Sequence, residues 1–459
     1  METPPSNLDI VILGGGISGL ACGFWLQKYR PEQSFCIWEA KARPGGRIGS
    51  RRLEGYLLEA GPDSFVRQRP AMNELVSELG LDTRVCASSP QNAGTYVCGR
   101  QRLQALPQGL HLGIPTRPWM VALSPLLSLG GKLRLAMEPW IPRRANQQDE
   151  SLGSFVRRRL GEEALQHLIG PLVGGIFGTD LEDLSLRATF AHLADYEQKF
   201  GSLTRALWNN PVPPAAGNFF SFPNGMQELV DALQVRLSSR LHTSMTVEKL
   251  GYQDGLWQVY SPSGGRLRAR QVVLALPASE SARLLKSCAP ALSGMLAGLS
   301  SSSAAAVHLG WSRGRVGHGL RGYGLVSRYP ARRSLVACTW SSQKFAGRAP
   351  LQEVLMRAFL RDSESLQVDE ADDQRLLCEA LSALRKPLRL HGQPNFWRVE
   401  RYPGAFPHYH TGYLERIQSL NTQRSQFPGL HWVGPAFGSG GVPACVTQAR
   451  QWVEGLDSA

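Results

Sequence analysis

Apolar positions along the chain fall into two patterns, short unbroken runs and stripes at helical spacing. Residues 10–13, Ile-Val-Ile-Leu, form a run of strand type that ends in glycines, and residues 34–38 form a second. The residues between them read as a helix. Residues 56–58 read as a short strand turning into the loop that holds Gly61 and Pro62, and 71–81 repeats apolar residues at helical spacing with Gly80 as the stop. Residues 96–107 alternate as a hairpin turning at Gly99. A charged-faced helix is predicted at 155–161 and another from about 227 to 237, with strands at 246–250, 257–260 and, fully buried, 272–276. Runs at 307–311, 323–326 and 335–340 suit an antiparallel sheet. A strand at 429–434 and a helix from 442 to about 456 close the chain.

Between 107 and 144 the character changes. Trp119, Leu123, Leu127, Leu133, Met137 and Trp140 are interleaved with prolines and with Arg117, Lys132, Arg134, Arg143 and Arg144. Tryptophans beside cations suit an interfacial membrane anchor. A helical subdomain with its apolar faces packed inward accounts for them equally well. Residues 210–217, rich in Pro and Ala, suit a crossing between domains.

At 459 residues the chain exceeds the roughly 250–300 that one core sustains, so two domains are expected. The net charge of +13 favours an anionic partner such as a phospholipid surface or a carboxylate substrate. No nucleic acid is expected, because no zinc spacing, helix-turn-helix or basic-aromatic repeat accompanies the charge. The eight cysteines are scattered without a Cys-x-x-Cys pair, which suits reduced thiols. The early first strand leaves no room for a signal peptide, and no apolar run approaches the roughly 18 residues of a spanning helix. These features predict a cytoplasmic protein, or one peripheral on the cytoplasmic face of a membrane. No metal spacing, Ser-His-Asp order or phosphate loop of the Gly-Lys type is present, so no metal and no protein nucleophile are expected.

The glycines after the first strand carry the chemistry. Gly14, Gly16 and Gly19 stand as Gly-x-Gly-x-x-Gly between a strand and a helix, and Glu39 follows the second strand, 20 residues past Gly19. Gly14 permits a tight turn, Gly16 lets backbone approach a pyrophosphate, and Gly19 lets helix pack on strand. The helix start, Ile17 and Ser18, faces the phosphates, and the acid can hold a ribose diol. A dinucleotide-binding βαβ unit follows.

Glu39 is followed by Arg43, Gly45, Gly46 and Arg47. This second glycine stretch resembles that of flavoprotein oxidases related to the amine oxidases and phytoene desaturases. The resemblance implies FAD, with Arg43 and the backbone around Gly46 and Arg47 embracing its diphosphate and flavin. Three further segments resemble oxygen-dependent protoporphyrinogen IX oxidases: 59–65, Glu-Ala-Gly-Pro-Asp-Ser-Phe; 152–190, with its glycine turn at Gly174 and Gly175; and 341–350, Ser-Ser-Gln-Lys-Phe-Ala-Gly-Arg-Ala-Pro. In that resemblance Gly61, Pro62, Gly434, Val442 and the backbone of Val247 also meet FAD. The pocket walls come from Gly175, Leu325, Val326, Thr339 and Trp340, each equally explicable as core.

The implied fold is α/β, a discontinuous Rossmann-like FAD-binding domain (1–90, 215–285, 396–459) with an α+β substrate domain built on an antiparallel sheet (286–395). A helical subdomain suited to a membrane surface, together with substrate-site segments (91–150 and 151–214), completes it. The implied reaction removes six electrons from protoporphyrinogen IX in three flavin cycles, with oxygen reduced to hydrogen peroxide, for haem or chlorophyll synthesis. No protein catalytic group is needed, since the flavin takes the hydride. The resemblance leaves the oligomeric state open, a homodimer included.

Three positions depart from the family pattern. Thr95 stands where an arginine often pairs a substrate propionate, which leaves Arg67, Arg69 or Arg100 for that role. Pro443-Ala444 replaces an Asn-Asp pair, and Tyr413 replaces a histidine. Other readings stay open: a flavin oxidase of coproporphyrinogen, an amine or a polyene, or a flavin-binding scaffold without turnover.

Overall fold

The first apolar run becomes strand β1, Asn7–Leu13, followed by helix α1, Ile17–Tyr29, and strand β2, Phe35–Trp38. β1 lies parallel between β2 and the strand Arg266–Leu274. Leu241–His242 extends the parallel set beyond β2, Leu430–Trp432 flanks the end of Arg266–Leu274, and Lys249–Gln253 with Leu256–Tyr260 adds an antiparallel hairpin. Ile10 and Ile12 pack with α1 and the last helix, Val442–Glu454, whereas Val11 and Leu13 pack with the helices Ala278–Leu285 and Pro290–Ala297. Burial on both faces is why this strand reads as an unbroken apolar run. The computed structural model describes residues 7–458 apart from 93, 99–101, 108, 112, 117–118, 147, 176, 178, 210–218, 263–264 and 331–333. The expected crossing at 210–217 lies outside the described residues.

The second sheet has seven strands in the order Phe396–Pro407, Ser301–Ser312, Glu353–Arg361, Leu335–Thr339, Gly324–Ser327, Thr95–Cys98, Leu103–Ala105. All neighbours are antiparallel except Gly324–Ser327 with Thr95–Cys98. Two expected boundaries move. The hairpin at 95–105, expected among the helical and substrate-site segments, is part of this sheet, and Phe396–Pro407 belongs here and not to the dinucleotide domain. Both strands complete their hydrogen bonding only against partners more than 80 residues away, which no local pattern reveals.

Alternation across the sheet separates two environments. Val307, Leu309, Trp311, Leu325, Cys338, Met356 and Trp340 face the helix Asp373–Leu388. The opposite face carries smaller and polar groups, among them Thr95, Ala306, His308, Thr339 and Arg357.

The third unit is helical, with Leu152–Leu160, Leu186–Phe200 and Leu203–Asn209 around Phe155, Leu165, Leu168 and Leu193. At its centre Arg159 and Glu138, both fully buried, form an ion pair. Glu138 also accepts from Ser202 Oγ at 2.6 Å and from the backbone N–H groups of Leu203 and Thr204, and so caps the helix Leu203–Asn209. Leu123, Leu129, Leu133, Met137 and Trp140 are exposed on this unit, Leu123 by 95%. Among the described residues no helix is long and apolar enough to cross a membrane.

Replacing Glu138 by Ala leaves the buried Arg159 with only the longer contact to Glu197, at 3.5 Å, and uncaps a helix. Chemical denaturation is expected to show a loss of about 3–5 kcal/mol, whereas the exposed Arg143→Ala is expected to change stability by less than about 0.5 kcal/mol.

Candidate functional site

The loop between β1 and α1 is held by contacts that only glycine allows. Gly14 has φ of +106°, and a Cβ there would lie 2.6 Å from the carbonyl of Ala275. At Gly19 a Cβ would lie 1.9 Å from the carbonyl of Gly14, so helix and turn touch backbone to backbone. Glu39 is buried and accepts from Gly15 N–H at 2.7 Å and from Lys41 N–H at 2.9 Å. The two bonds fix the carboxylate at the loop.

The loop at 43–49 closes over this turn. Gly45 N–H donates to Gly15 C=O at 2.7 Å, and Gly46, at φ +58°, approaches Gly16 so that a Cβ would lie 3.1 Å from its Cα. Arg43 does not point to the phosphate position. Its guanidinium donates to Ile48 C=O at 2.7 Å and Gln227 Oε1 at 2.6 Å, bracing the loop from behind. Arg47 is exposed by area yet ringed by protein, as a side chain in an open cleft is, and loss of hydration lowers its pKa. It donates to Ala405 C=O at 3.0 Å.

A third strip, 59–63, lies against Arg47: a Cβ on Gly61 would lie 2.0 Å from the Arg47 carbonyl. Half-buried Pro62 follows. The strip is fastened to the second sheet by buried charges. Lys344 Nζ contacts both carboxylate oxygens of Asp63 at 2.9 and 3.0 Å, Arg357 donates to Gly61 C=O at 2.7 Å and to Tyr402 OH at 2.6 Å, and Arg348 approaches Glu59 at 3.3 Å. Between them, with His308, Ser341 and Phe345, lies a cavity of about 10 Å³, roughly room for one water. Burial pushes the Glu59 carboxyl up to about 7 against the opposing pull of Arg348 and Ser50. Asp63 is held at about 2, because Lys344, Ser64 and Arg357 together outweigh its own desolvation.

On the far side Gly434 N–H donates to Gln448 Oε1 at 2.7 Å, and Val442 opens the 13-residue final helix. That helix packs along α1, with Trp25 Nε1 bonded to Val446 C=O, so two helix starts converge on one place. Their partial positive charges suit an anion. Ser18, Cys445 and Arg47 lie within reach of one another there. Tyr413, where a histidine was expected, is buried and donates to Ala436 C=O at 2.9 Å. Tyr409, donating to Pro435 C=O, stacks edge-on with it and with Phe177.

The expected pocket residues divide. Thr95, Val326 and Thr339 face the helical unit, and Gly175 has open space before its Cα. Leu325 and Trp340 face the other way, into the core under the helix Asp373–Leu388, since neighbours on a strand point to opposite faces. Arg67 is engaged by Asn73 at 3.0 Å and Asp82 at 3.2 Å, which takes it out of the pocket; Arg69 is exposed, and Arg100 lies outside the described residues. Val247 has its side chain in the core, and its carbonyl accepts from Arg283.

Comparison with known proteins places this arrangement. The model of the flavin-containing amine oxidoreductases matches residues 17–454. The chain belongs to this family. It is 32% identical over 455 residues to a coproporphyrinogen III oxidase of Bacillus subtilis, covering 96% of each chain, and 33% identical to that of Propionibacterium freudenreichii, covering 97% of this chain and 90% of the other. It is 26% identical to the chloroplastic protoporphyrinogen oxidase of Oryza sativa, covering 97% of this chain and 87% of that one. A solved structure from Exiguobacterium sp. 255-15, described as a candidate protoporphyrinogen oxidase, superposes with a TM-score of 0.86 at 27% identity over 98% and 99% of the two chains. This flavoprotein is therefore an oxidoreductase of the porphyrinogen oxidase branch, and its cofactor is FAD.

The residues fit that cofactor. Gly16 leaves its outer side clear of all but Gly46, two helix starts converge where a diphosphate would lie, and Glu39 is fixed where a ribose would meet it. Sequence reasoning missed Lys344, Arg348, Arg357 and Tyr402 as members of the site. For Lys344 and Arg348 the signal was that 59–65 and 341–350 both carry family-specific residues; Arg357 and Tyr402 lie outside those segments.

The raised pKa of Glu59 contributes stability below about pH 4.5 that is lost as pH rises through about 7. Glu59→Gln is expected to melt near wild type at pH 5 and progressively above it from pH 6 to 8. Asp63 acts with the opposite sign. Its contribution, of the order of 2–3 kcal/mol, is present above about pH 4 and is lost as pH falls toward about 2. Lys344→Met is expected to remove that acid sensitivity together with part of the stability at neutral pH, read from melting curves between pH 3 and 7.

Proposed function

We propose that this flavoprotein oxidises coproporphyrinogen III to coproporphyrin III in haem synthesis. Each of three rounds removes two electrons and two hydrogens, and each oxygen molecule leaves as hydrogen peroxide. The carrying observation is the identity of 32% across 96% of both chains with a relative named for that substrate. Protoporphyrinogen IX, the substrate expected from the motifs, is the second reading and is favoured by the more distant chloroplastic relative.

FAD, when bound, supplies the hydride acceptor. The protein contributes shape and electrostatics. Gly61 and Pro62, pinned by Arg357 and Lys344, wall one side of the cleft. The sheet face with the partly exposed Thr95 and Thr339 offers small side chains against which a flat macrocycle can lie. The convergent helix starts and Arg47 favour negative charge accumulating on the cofactor side. Neither protein nucleophile nor metal enters.

The exposed apolar residues Leu123, Leu129, Leu133, Met137 and Trp140, with Lys132 among them, support contact with an anionic membrane surface.

Anaerobic mixing with coproporphyrinogen III is expected to bleach the flavin faster than mixing with protoporphyrinogen IX. The reverse order selects the second reading, and bleaching by neither removes both. The double variant Leu129→Glu, Leu133→Glu is expected to lose cosedimentation with vesicles containing anionic phospholipid while keeping turnover of the soluble porphyrinogen. Retained cosedimentation would remove the membrane contact.

A further inference from the structure

At the end of the second sheet farthest from the dinucleotide, two basic side chains meet without an acid between them. Arg328 Nη2 lies 2.9 Å from both ring nitrogens of His167. Both residues are half-buried. Burial and the neighbouring guanidinium lower the pKa of His167 against the opposing pull of Glu163.

The acids nearby are engaged elsewhere. Glu163 accepts from Ser128 N–H at 2.7 Å and from its Oγ at 2.5 Å. Asp180 accepts from Tyr329 OH, and Glu162 and Glu182 are both paired with Arg157. Among the described residues Arg328 has no carboxylate partner. Leaving an arginine half-buried without an anion is unfavourable unless an anion arrives from outside the chain.

Two features aim this pair at the pocket. Gly324 is in register with Thr95 and Thr339, and Thr339 with Arg357, which binds the Gly61 carbonyl at the flavin end. Arg328 comes four residues later on the same face as Gly324 and Val326, hence about 13 Å along the strand direction. That separation is on the scale of a tetrapyrrole. His167 reaches the same spot from a π-helical turn, Leu165–Ile169, and such turns recur at functional positions. Tyr329, hydrogen-bonded to Asp180 and through its N–H to Gln166 C=O, fixes the Arg328 backbone against that turn.

We propose that Arg328 and His167 form a carboxylate subsite that holds one acidic side chain of the porphyrinogen at the end of the pocket remote from the flavin. The proposal rests on the porphyrinogen reading. It supplies the anion contact for which Thr95 has no charge and from which Arg67 is withdrawn by Asp82.

The test uses FAD-loaded full-length protein and the variants Arg328→Gln, Arg328→Lys and His167→Gln. Loss of a charge-assisted bond is expected to raise KM for coproporphyrinogen III by roughly 10- to 100-fold in Arg328→Gln, with kcat within about threefold. Arg328→Lys is expected to recover most of the loss, and His167→Gln to fall between. Binding of the product coproporphyrin III and of its uncharged tetramethyl ester, followed by fluorescence, separates charge from shape: Arg328→Gln should weaken the acid and leave the ester unchanged. Unaltered KM in flavin-replete Arg328→Gln, or equal weakening of acid and ester, overturns the subsite while leaving the porphyrinogen reading standing. A wild-type protein that turns over neither porphyrinogen overturns both. Should Arg328→Gln not fold, His167→Gln and the acid-to-ester ratio in Arg328→Lys decide.

Discussion

The contact on which the rest depends is the buried attachment of residues 59–63 to the second sheet. Asp63 meets Lys344, Gly61 C=O meets Arg357, and Glu59 meets Arg348, with Glu59 and the three cations buried and Asp63 partly exposed. Asp63 and Lys344 are both paired and hydrogen-bonded, whereas Arg357 is held by the Gly61 carbonyl and the Tyr402 hydroxyl; removing Lys344 would take away the cation that Asp63 bonds directly. Since the strip also packs backbone to backbone on Arg47, the attachment sets how the dinucleotide loop and the substrate sheet face each other. The two sheets share one cleft because of it.

From that junction the work divides. One side is almost entirely backbone: Gly14, Gly16, Gly19, Gly45 and Gly46 bring main chain close, and two helix starts supply partial positive charge. The other side is a sheet with its bulky residues behind it and its small ones in front. A flavin enzyme of this kind calls on the protein to place a substrate and exclude water, not to provide a nucleophile, and the side-chain distribution matches that demand.

The departures from the family pattern acquire physical content. Tyr413 is a buried structural residue whose hydroxyl ties its helix to Ala436, so the exchanged histidine does not leave a hole. Pro443 sits in the first turn of the final helix, where the missing N–H has no intrahelical partner to lose. Thr95 does remove a cation from the pocket face, and the nearest candidate by sequence, Arg67, is paired with Asp82.

The sequence by itself determined the dinucleotide unit, because everything that unit needs is local: an apolar strand, three glycines at fixed offsets, a helix, a second strand and Glu39 lie within about 40 residues. It also determined the family, since 59–65 and 341–350 carry recognisable residues. Tertiary structure alone decided which charges meet. Asp63 and Lys344 are 281 positions apart and Arg328 and His167 are 161, and neither pairing leaves a periodicity or spacing in the chain. It decided likewise that Leu325 and Trp340 are core under the helix Asp373–Leu388 while Val326 and Thr339 lie on the opposite face, because strand alternation fixes opposite faces but only the packed partner says which face is inside.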